Sequence, residues 1–262
     1  MTGVNLVTYY AGSIFQNSLN LSPFTSRLLA GVLGTAYFIF ALFSPWAVER
    51  FGRRQILIGG SILETIAMAS LVGLTGVQGK GVGIAATAMF FVFNAGFAYG
   101  WTGTPWLYPA EISPLAIRAP ANATTTTANW IFNFVVVMIT PPAFNGIGNY
   151  TYLIFAIFNA LAIPMVYFFY PESKGRSLEE MDEIFQSVKG LRGVTDAVKV
   201  SLTKPMRYGK KGELLSIPVT TARGLGVLDN EKNVGFLPQS LTVESDKIPD
   251  NDAQRVENAN RK

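Results

Sequence analysis

The chain has 262 residues, of which 49% are hydrophobic, a formal net charge of +4, and neither Cys nor His. The absence of Cys and His excludes disulfides, thiol nucleophiles, histidine bases and the usual zinc ligands. No stripe of interleaved basic and aromatic residues accompanies the modest positive charge, so nucleic-acid binding is not predicted.

Apolar residues are concentrated before Pro171. Because a membrane-spanning helix needs about 20 apolar residues, this part of the chain has room for several. We predict six spans, at Val4–Leu21, Arg27–Val48, Ile56–Val77, Val82–Ala110, Ile117–Ala143 and Tyr150–Tyr170. The first span is the most polar, and lipid does not satisfy polar side chains, so its polar face should meet protein or water.

The fourth predicted span is interrupted. Its last part belongs to the stretch Gly100–Arg118 (GWTGTPWLYPAEISPLAIR), in which Gly100, Gly103, Pro105 and Pro109 break the apolar run. Irregular backbone at membrane depth is tolerated only beside a cavity or other protein. A broken helix of this kind is typical of transporters, where it forms part of the substrate site.

Basic residues near the ends of the spans predict the orientation of the bundle. One side carries Arg50, Arg53, Arg54, Arg118, Lys174 and Arg176, whereas the other carries Arg27 and Lys80. Cytoplasmic loops of membrane proteins are enriched in Lys and Arg. We therefore expect the first side, together with the N- and C-termini, to be cytoplasmic.

The remaining sequence predicts a division into three parts. Residues 1–170 form the transmembrane bundle. Residues 171–187 form a cytoplasmic amphipathic helix, in which Ser177 fits the N-cap and Glu180 the third helical position of a capping box. Residues 188–262 have low hydrophobicity and mixed charge, a composition typical of a disordered tail.

Four local patterns occur in a fixed order. They are Glu49–Arg54 (ERFGRR), Pro105-Trp106 with Glu111, Pro114 and Arg118 behind it, Asn129-Trp130, and Pro171–Gly175 (PESKG). Together they resemble the C-terminal half of a fungal-type sugar porter of the major facilitator superfamily, over residues 1–187. The resemblance implies an all-α membrane protein, a six-transmembrane-helix half equivalent to family helices seven to twelve. It also implies a missing partner, the N-terminal six-helix half.

The resemblance further implies transport of a hexose, disaccharide or polyol by alternating access across a lipid bilayer, either facilitated or coupled to protons. It implies no enzymatic step, metal or cofactor, and a half that is inactive alone. The plasma membrane is the family's usual location and is expected here. Two alternatives stay open, a non-transporting sugar sensor or regulatory membrane protein and an inert truncated fragment.

Family resemblance places Asn5, Trp106 and Asn129 in contact with the substrate. It places Phe97, Trp130 and Asn133 along the same cavity. Sugars suit such residues, because amides form paired hydrogen bonds and aromatic faces cover the C–H surface of the ring. The alternative is that the amides form helix–helix hydrogen bonds, worth about 0.6 kcal/mol on average in membranes.

This chain departs from the family pattern at two positions. Tyr37 stands where many family members have Asn in the eighth helix, and Ala98 stands where animal glucose transporters have Glu in the tenth. Both departures leave the identity of the sugar open.

Six charged residues are predicted to form a gate at the cytoplasmic mouth, Glu49, Arg50, Arg53, Arg54, Glu111 and Arg118. In the family, such charges form salt bridges that hold the two halves together in the outward-facing state. The alternative is that they only orient the helices in the membrane.

Glu64 is the acidic residue deep inside a predicted span. An intramembrane carboxylate suggests a functional role by default. It either carries a proton, or it is neutral and bonded to Ser61 or to a neighbouring helix.

Overall fold

The computed structural model describes residues 2–17, 22–77, 79–188 and 193–203, all of which belong to one compact unit at Met1–Pro205. The described residues form helices and no strands, which confirms the all-α prediction. The helices are α1 (Val4–Asn17), α2 (Pro23–Phe51), α3 (Arg53–Leu74), α4 (Lys80–Gly100), α5 (Thr104–Ile112), α6 (Arg118–Ile147), α7 (Thr151–Phe169), α8 (Leu178–Ser187) and α9 (Gly193–Thr203).

Four described segments are long and apolar enough to cross a membrane: Pro23–Phe51, Arg53–Leu74, Gly81–Ile112 and Leu115–Phe169. The last has 55 residues and contains both α6 and α7. At about 1.5 Å per residue, that length is more than twice what one crossing requires. Helix α1, with 14 residues, is shorter than a full span.

Large apolar side chains cover the outer faces of α2, α6 and α7. Examples are Phe38, Leu42 and Phe43 on α2, Phe134 and Met138 on α6, and Leu161 and Phe168 on α7. Soluble proteins rarely expose apolar patches of this extent, whereas a bilayer covers them. These surfaces belong to an integral membrane protein.

Helices α3 and α4 approach each other through glycines. A Cβ atom added at Gly60 would lie 3.0 Å from the carbonyl oxygen of Gly96, and one added at Gly100 would lie 2.9 Å from that of Ile56. Small residues let membrane helices pack backbone to backbone. The close approach holds the end of α4 against α3, where the Trp101 indole N–H donates to the Ser61 hydroxyl at 3.0 Å.

The interruption of the fourth span is short. Helix α4 ends at Gly100 and α5 begins at Thr104, so the break occupies Trp101–Gly103. Pro105 lies in the first turn of α5, where a missing N–H costs nothing. Pro109 lies inside α5 and does not end it.

Helix α8 begins where the sequence predicts. The Ser177 hydroxyl accepts the backbone N–H of Glu180 at 3.2 Å, as an N-cap should. The pKa of the neighbouring Glu179 lies below its usual value, because its carboxylate accepts hydrogen bonds from its own backbone N–H and from the Ser177 hydroxyl.

The prediction of a disordered tail from residue 188 is wrong for residues 193–203, which form α9. Ala197 and Val198 lie on one face of α9 and are buried, and Ala197 packs with Met181 and Ile184 of α8. The low average hydrophobicity of the tail concealed this narrow apolar face. The rest of the predicted tail, residues 189–192 and 204–262, lies outside the described residues.

Candidate substrate cavity

The bundle contains a cavity of about 620 Å³, within the usual range of ligand pockets, about 300–1,000 Å³. Its walls come from α1, α2, the end of α4, the break, α5 and α6. The break between α4 and α5 also forms part of the wall, since Trp101 and Thr102 line the cavity.

All six residues predicted to contact or surround the substrate lie on the wall of this cavity: Asn5, Phe97, Trp106, Asn129, Trp130 and Asn133. Asn5 comes from α1, Phe97 from α4, Trp106 from α5 and the other three from α6, so four separate helices converge. Their common location is a finding, whereas their contact with a substrate stays a prediction.

Of the amides on the cavity wall, Asn94 donates to the carbonyl oxygen of Leu33 at 2.8 Å, whereas the three amides predicted to contact or surround the substrate have no such partner. Among the described residues, the side chains of Asn5 and Asn129 have no hydrogen-bond partner, and the buried Oδ1 of Asn133 has none. By contrast, Asn159 donates to the carbonyl oxygen of Thr2 at 2.9 Å. Amides without partners beside a cavity are available to a ligand, and the buried Oδ1 of Asn133 costs free energy as long as it has no partner.

Sequence reasoning did not assign cavity roles to Tyr37, Asn94, Trp101 or Thr102, all of which line the wall. Tyr37 from α2 forms a hydrogen bond of 3.1 Å with the Thr102 hydroxyl. Its ring is also stacked against that of Phe97, with centroids 6.3 Å apart. The departure from the family at Tyr37 was the sequence signal for this contact.

No charged side chain lines the cavity among the described residues. The wall combines hydroxyl and amide groups with the rings of Trp106, Trp130 and Phe97. Such a surface binds a neutral molecule that carries both hydroxyl groups and apolar C–H faces.

One end of the bundle carries the predicted gate. Arg53 at the start of α3 forms a two-point ion pair with Glu111 at the end of α5, with Nε to Oε2 at 3.0 Å. The Ser173 hydroxyl donates to the same carboxylate at 2.6 Å. We call Arg53, Glu111, Ser173 and Glu172 the charged cluster.

Glu172 and Ser173 of the PESKG motif are the residues of the charged cluster that the sequence analysis did not assign to the gate. Glu172 has the larger part. Its carboxylate accepts the backbone N–H groups of Arg53 at 3.0 Å and Arg54 at 3.2 Å, and so caps the start of α3. A Cβ atom at Gly52, where φ is +96°, would lie 2.6 Å from this carboxylate. Gly52 is therefore required both for its backbone conformation and for the space.

The other predicted gate residues have different partners. Arg54 donates to the carbonyl oxygen of Tyr167 at 2.7 Å, and Arg50 lies over the Trp46 ring. Arg118 donates to the carbonyl oxygen of Ser113 at 3.4 Å and is not paired with Glu111. Glu49 is exposed and forms no ion pair within the described part of the chain.

Glu64 is completely buried. Neither of its carboxylate oxygens has a hydrogen-bond partner among the described residues. The alternative of a bond to Ser61 is not observed, and the Ser61 hydroxyl accepts the Trp101 indole N–H. Proton handling by Glu64 stays a prediction.

Comparison with known proteins identifies the class to which this fold and cavity belong, the membrane carriers. The profile of the family described as "Sugar (and other) transporter" matches residues 1–185. The chain belongs to this family, the sugar porters of the major facilitator superfamily. The prediction that it is not an enzyme is confirmed, because the matched relatives are transporters.

Similar proteins include the MFS-type transporter oryC of Aspergillus oryzae, 34% identical over 216 residues that cover 80% of this chain and 40% of that protein. The sugar transporter STL1 of Saccharomyces cerevisiae is 37% identical over 188 residues, which cover 70% and 32% of the two chains. The chain thus spans about a third to two fifths of the length of these relatives.

Solved structures of a sugar transporter are also similar to this chain. The proton:xylose symporter XylE bound to 6-bromo-6-deoxy-D-glucose is 29% identical with a TM-score of 0.62, over 70% of this chain and 39% of that one. The inward-open conformation of XylE from E. coli gives a TM-score of 0.56, over 70% and 42%.

Proposed function

We propose that this chain is the C-terminal six-helix half of a transporter that carries a sugar or polyol by alternating access. The six spans are α1, α2, α3, α4 continued by α5, α6, and α7. The match covers 40% and 32% of two longer relatives, a share that fits one half of such a protein. Transport is facilitated or coupled to protons, and the XylE neighbour is named as a proton symporter.

The observation that carries this proposal is the wall of the cavity. Unengaged amides at Asn5, Asn129 and Asn133 face the same space as the Trp106 ring, without a charged side chain in the described lining. Quinate permeases such as that of Aspergillus niger are also similar, at 35% identity over 197 residues, 71% of this chain and 36% of that one. An uncharged wall favours a neutral polyol or sugar over an acid.

We place the charged cluster at the cytoplasmic face, with both termini of the bundle on the same side. Arg50, Arg53 and Arg54 gather at that end of the helices, and basic residues mark cytoplasmic loops. The plasma membrane is the proposed location. Surface labelling of a single engineered Cys at Arg27 in intact cells tests this orientation, since the chain has no other Cys.

We expect the chain alone to show no sugar flux. Alternating access requires two halves that move against each other around a central site. Liposomes containing the 262-residue chain should take up no more labelled D-glucose, D-xylose or sorbitol than empty vesicles. A fusion to the N-terminal six-helix half of STL1, called the fusion below, should restore saturable uptake.

Saturable, competable uptake by the chain alone would contradict the half-transporter proposal. Sugar binding by the fusion without flux would favour the sensor, and neither binding nor flux would favour the inert fragment. Matched protease protection of the two inserted proteins controls for orientation and folding.

In the fusion, Trp106→Ala should weaken sugar binding about ten-fold, since losing an aromatic face that covers the ring should cost about 1–2 kcal/mol. Trp46→Ala is the matched control, because Trp46 is 57% exposed and Trp106 is 52% exposed, but Trp46 is not on the cavity wall. Saturation-transfer NMR titrations of the proteins in nanodiscs measure both affinities. Equal affinities in the two variants would make Trp106 a packing residue.

A further inference from the structure

The hydrogen bonds around Tyr37 determine which of its atoms is available to a ligand. Tyr37 and Thr102 each carry one hydroxyl proton. Their oxygens lie 3.1 Å apart, and the Thr102 hydroxyl also lies 3.3 Å from the carbonyl oxygen of Phe97. The Tyr37 hydroxyl, the Thr102 hydroxyl and the Phe97 carbonyl oxygen thus lie in a row. The two hydroxyl protons can form hydrogen bonds along this row in either of two directions.

One arrangement satisfies both protons. Thr102 donates to the Phe97 carbonyl, which accepts the Trp101 backbone N–H at 2.8 Å and has a second lone pair free. Tyr37 then donates to Thr102. In the reverse arrangement Thr102 would donate to Tyr37, so the Phe97 carbonyl would lose its bond from Thr102 and the Tyr37 proton would have no acceptor among the described residues. The first arrangement is favoured because it keeps one more hydrogen bond within the protein.

The ring stack restricts the position of the Tyr37 side chain. Tyr37 lies against Phe97 at an interplanar angle of 27°, so its hydroxyl oxygen keeps its position on the cavity wall. With its only proton committed to Thr102, that oxygen offers lone pairs alone to the cavity.

From this geometry we propose that Tyr37 is a specificity-determining residue that accepts a hydrogen bond from the substrate and donates none. The substrate should therefore present a hydroxyl or N–H donor at this point of the wall, and an analogue with an ether, carboxylate or fluorine there should bind more weakly. The inference rests on the proposed function, that the cavity binds a sugar or polyol. An asparagine amide would offer both a donor and an acceptor, so Tyr37 narrows the choice of ligand.

The test compares matched sugar analogues. The wild-type chain in nanodiscs is titrated with D-glucose, D-xylose and their monodeoxy and monodeoxyfluoro derivatives, by saturation-transfer NMR. Deoxyfluoro sugars accept but do not donate at the altered carbon. At one ring position we expect both derivatives to bind about three- to ten-fold more weakly than the parent sugar, the effect of one neutral hydrogen bond.

Two variants assign that position to Tyr37. Tyr37→Phe removes the acceptor, so parent, deoxy and fluoro sugars should bind equally at that ring position. Thr102→Val removes the acceptor for the Tyr37 proton, so Tyr37 turns to donate into the cavity and the fluoro derivative should gain affinity over the deoxy one. Tyr99→Phe, which removes a hydroxyl away from the cavity, should keep the wild-type profile.

An unchanged analogue profile in Tyr37→Phe, with parent sugar still bound, would overturn the inference and leave the proposed function standing. So would a fluoro derivative that binds wild type as well as the parent at every ring position. If none of the parent sugars binds to wild type, to Tyr37→Phe or to the fusion, the proposed function fails, and the inference that rests on it fails too.

Discussion

Gly60→Leu is expected to prevent stable packing of α3 against α4. A Cβ atom at Gly60 would already lie 3.0 Å from the Gly96 carbonyl oxygen and 3.1 Å from the Gly100 Cα, and both are backbone atoms that do not rotate away. Overpacking usually costs about 1–3 kcal/mol, and a clash with backbone belongs at or above the top of that range. Since the end of α4 leads into the break, the cavity should be lost as well.

Gly59→Leu is the matched control, because nothing lies within 4 Å of a Cβ atom there. It adds the same side chain one position away on the same helix. Thermal unfolding in nanodiscs, followed by tryptophan fluorescence, should show a large drop in the midpoint for Gly60→Leu and little change for Gly59→Leu. Similar midpoints for the two variants would mean that α3 and α4 are not in backbone contact.

Glu111→Gln is expected to shift the fusion towards its inward-open state. The substitution keeps the size of the side chain but removes the charge that Arg53 binds at two points. If the charged cluster holds the cytoplasmic side closed, a loss of about 1.4 kcal/mol moves this equilibrium ten-fold. A partly buried two-point pair makes a loss of this size reasonable.

Labelling of a single cysteine reads out this shift. Thr125→Cys lies on the cavity wall in α6, and the chain has no other Cys. Labelling from the cytoplasmic side should be faster in Glu111→Gln and in Arg53→Gln, with no further increase when the two are combined. Glu49→Gln is the control, an exposed carboxylate at the same end without an ion pair in the described part of the chain. Wild-type labelling rates in Glu111→Gln and Arg53→Gln would leave the cluster with only an orienting role.

Resemblance and residue chemistry together anticipated much of the candidate site. Amides and tryptophans are unusual in spanning helices, so Asn5, Asn129 and Trp106 stand out in the sequence as candidate ligand contacts. The structure brings them to one wall, which sequence spacing alone does not require. In the structure Arg118 is not paired with Glu111. Arg118 is the first residue of α6, and its guanidinium donates to the carbonyl oxygen of Ser113 instead.

The sequence by itself determined where the helices run and where the fourth span breaks. Apolar run length, and the backbone restrictions of Gly and Pro, act within a few residues, so a local pattern reports them. The narrow apolar face of α9 is also a local pattern in the sequence. It is buried only because it packs against α8, so the average composition of this segment did not reveal the helix.

Only the tertiary structure decided which partners meet. Gly60 is in close contact with α4, whereas nothing lies within 4 Å of a Cβ atom at Gly59. Glu172 caps α3 although 119 residues separate it from Arg53, and Tyr37 bonds Thr102 although 65 residues separate them. Each of these contacts depends on which helix faces are in contact and at what height along the bundle. That geometry results from the packing of all the helices together, because close-packed interiors leave each side chain few alternative positions.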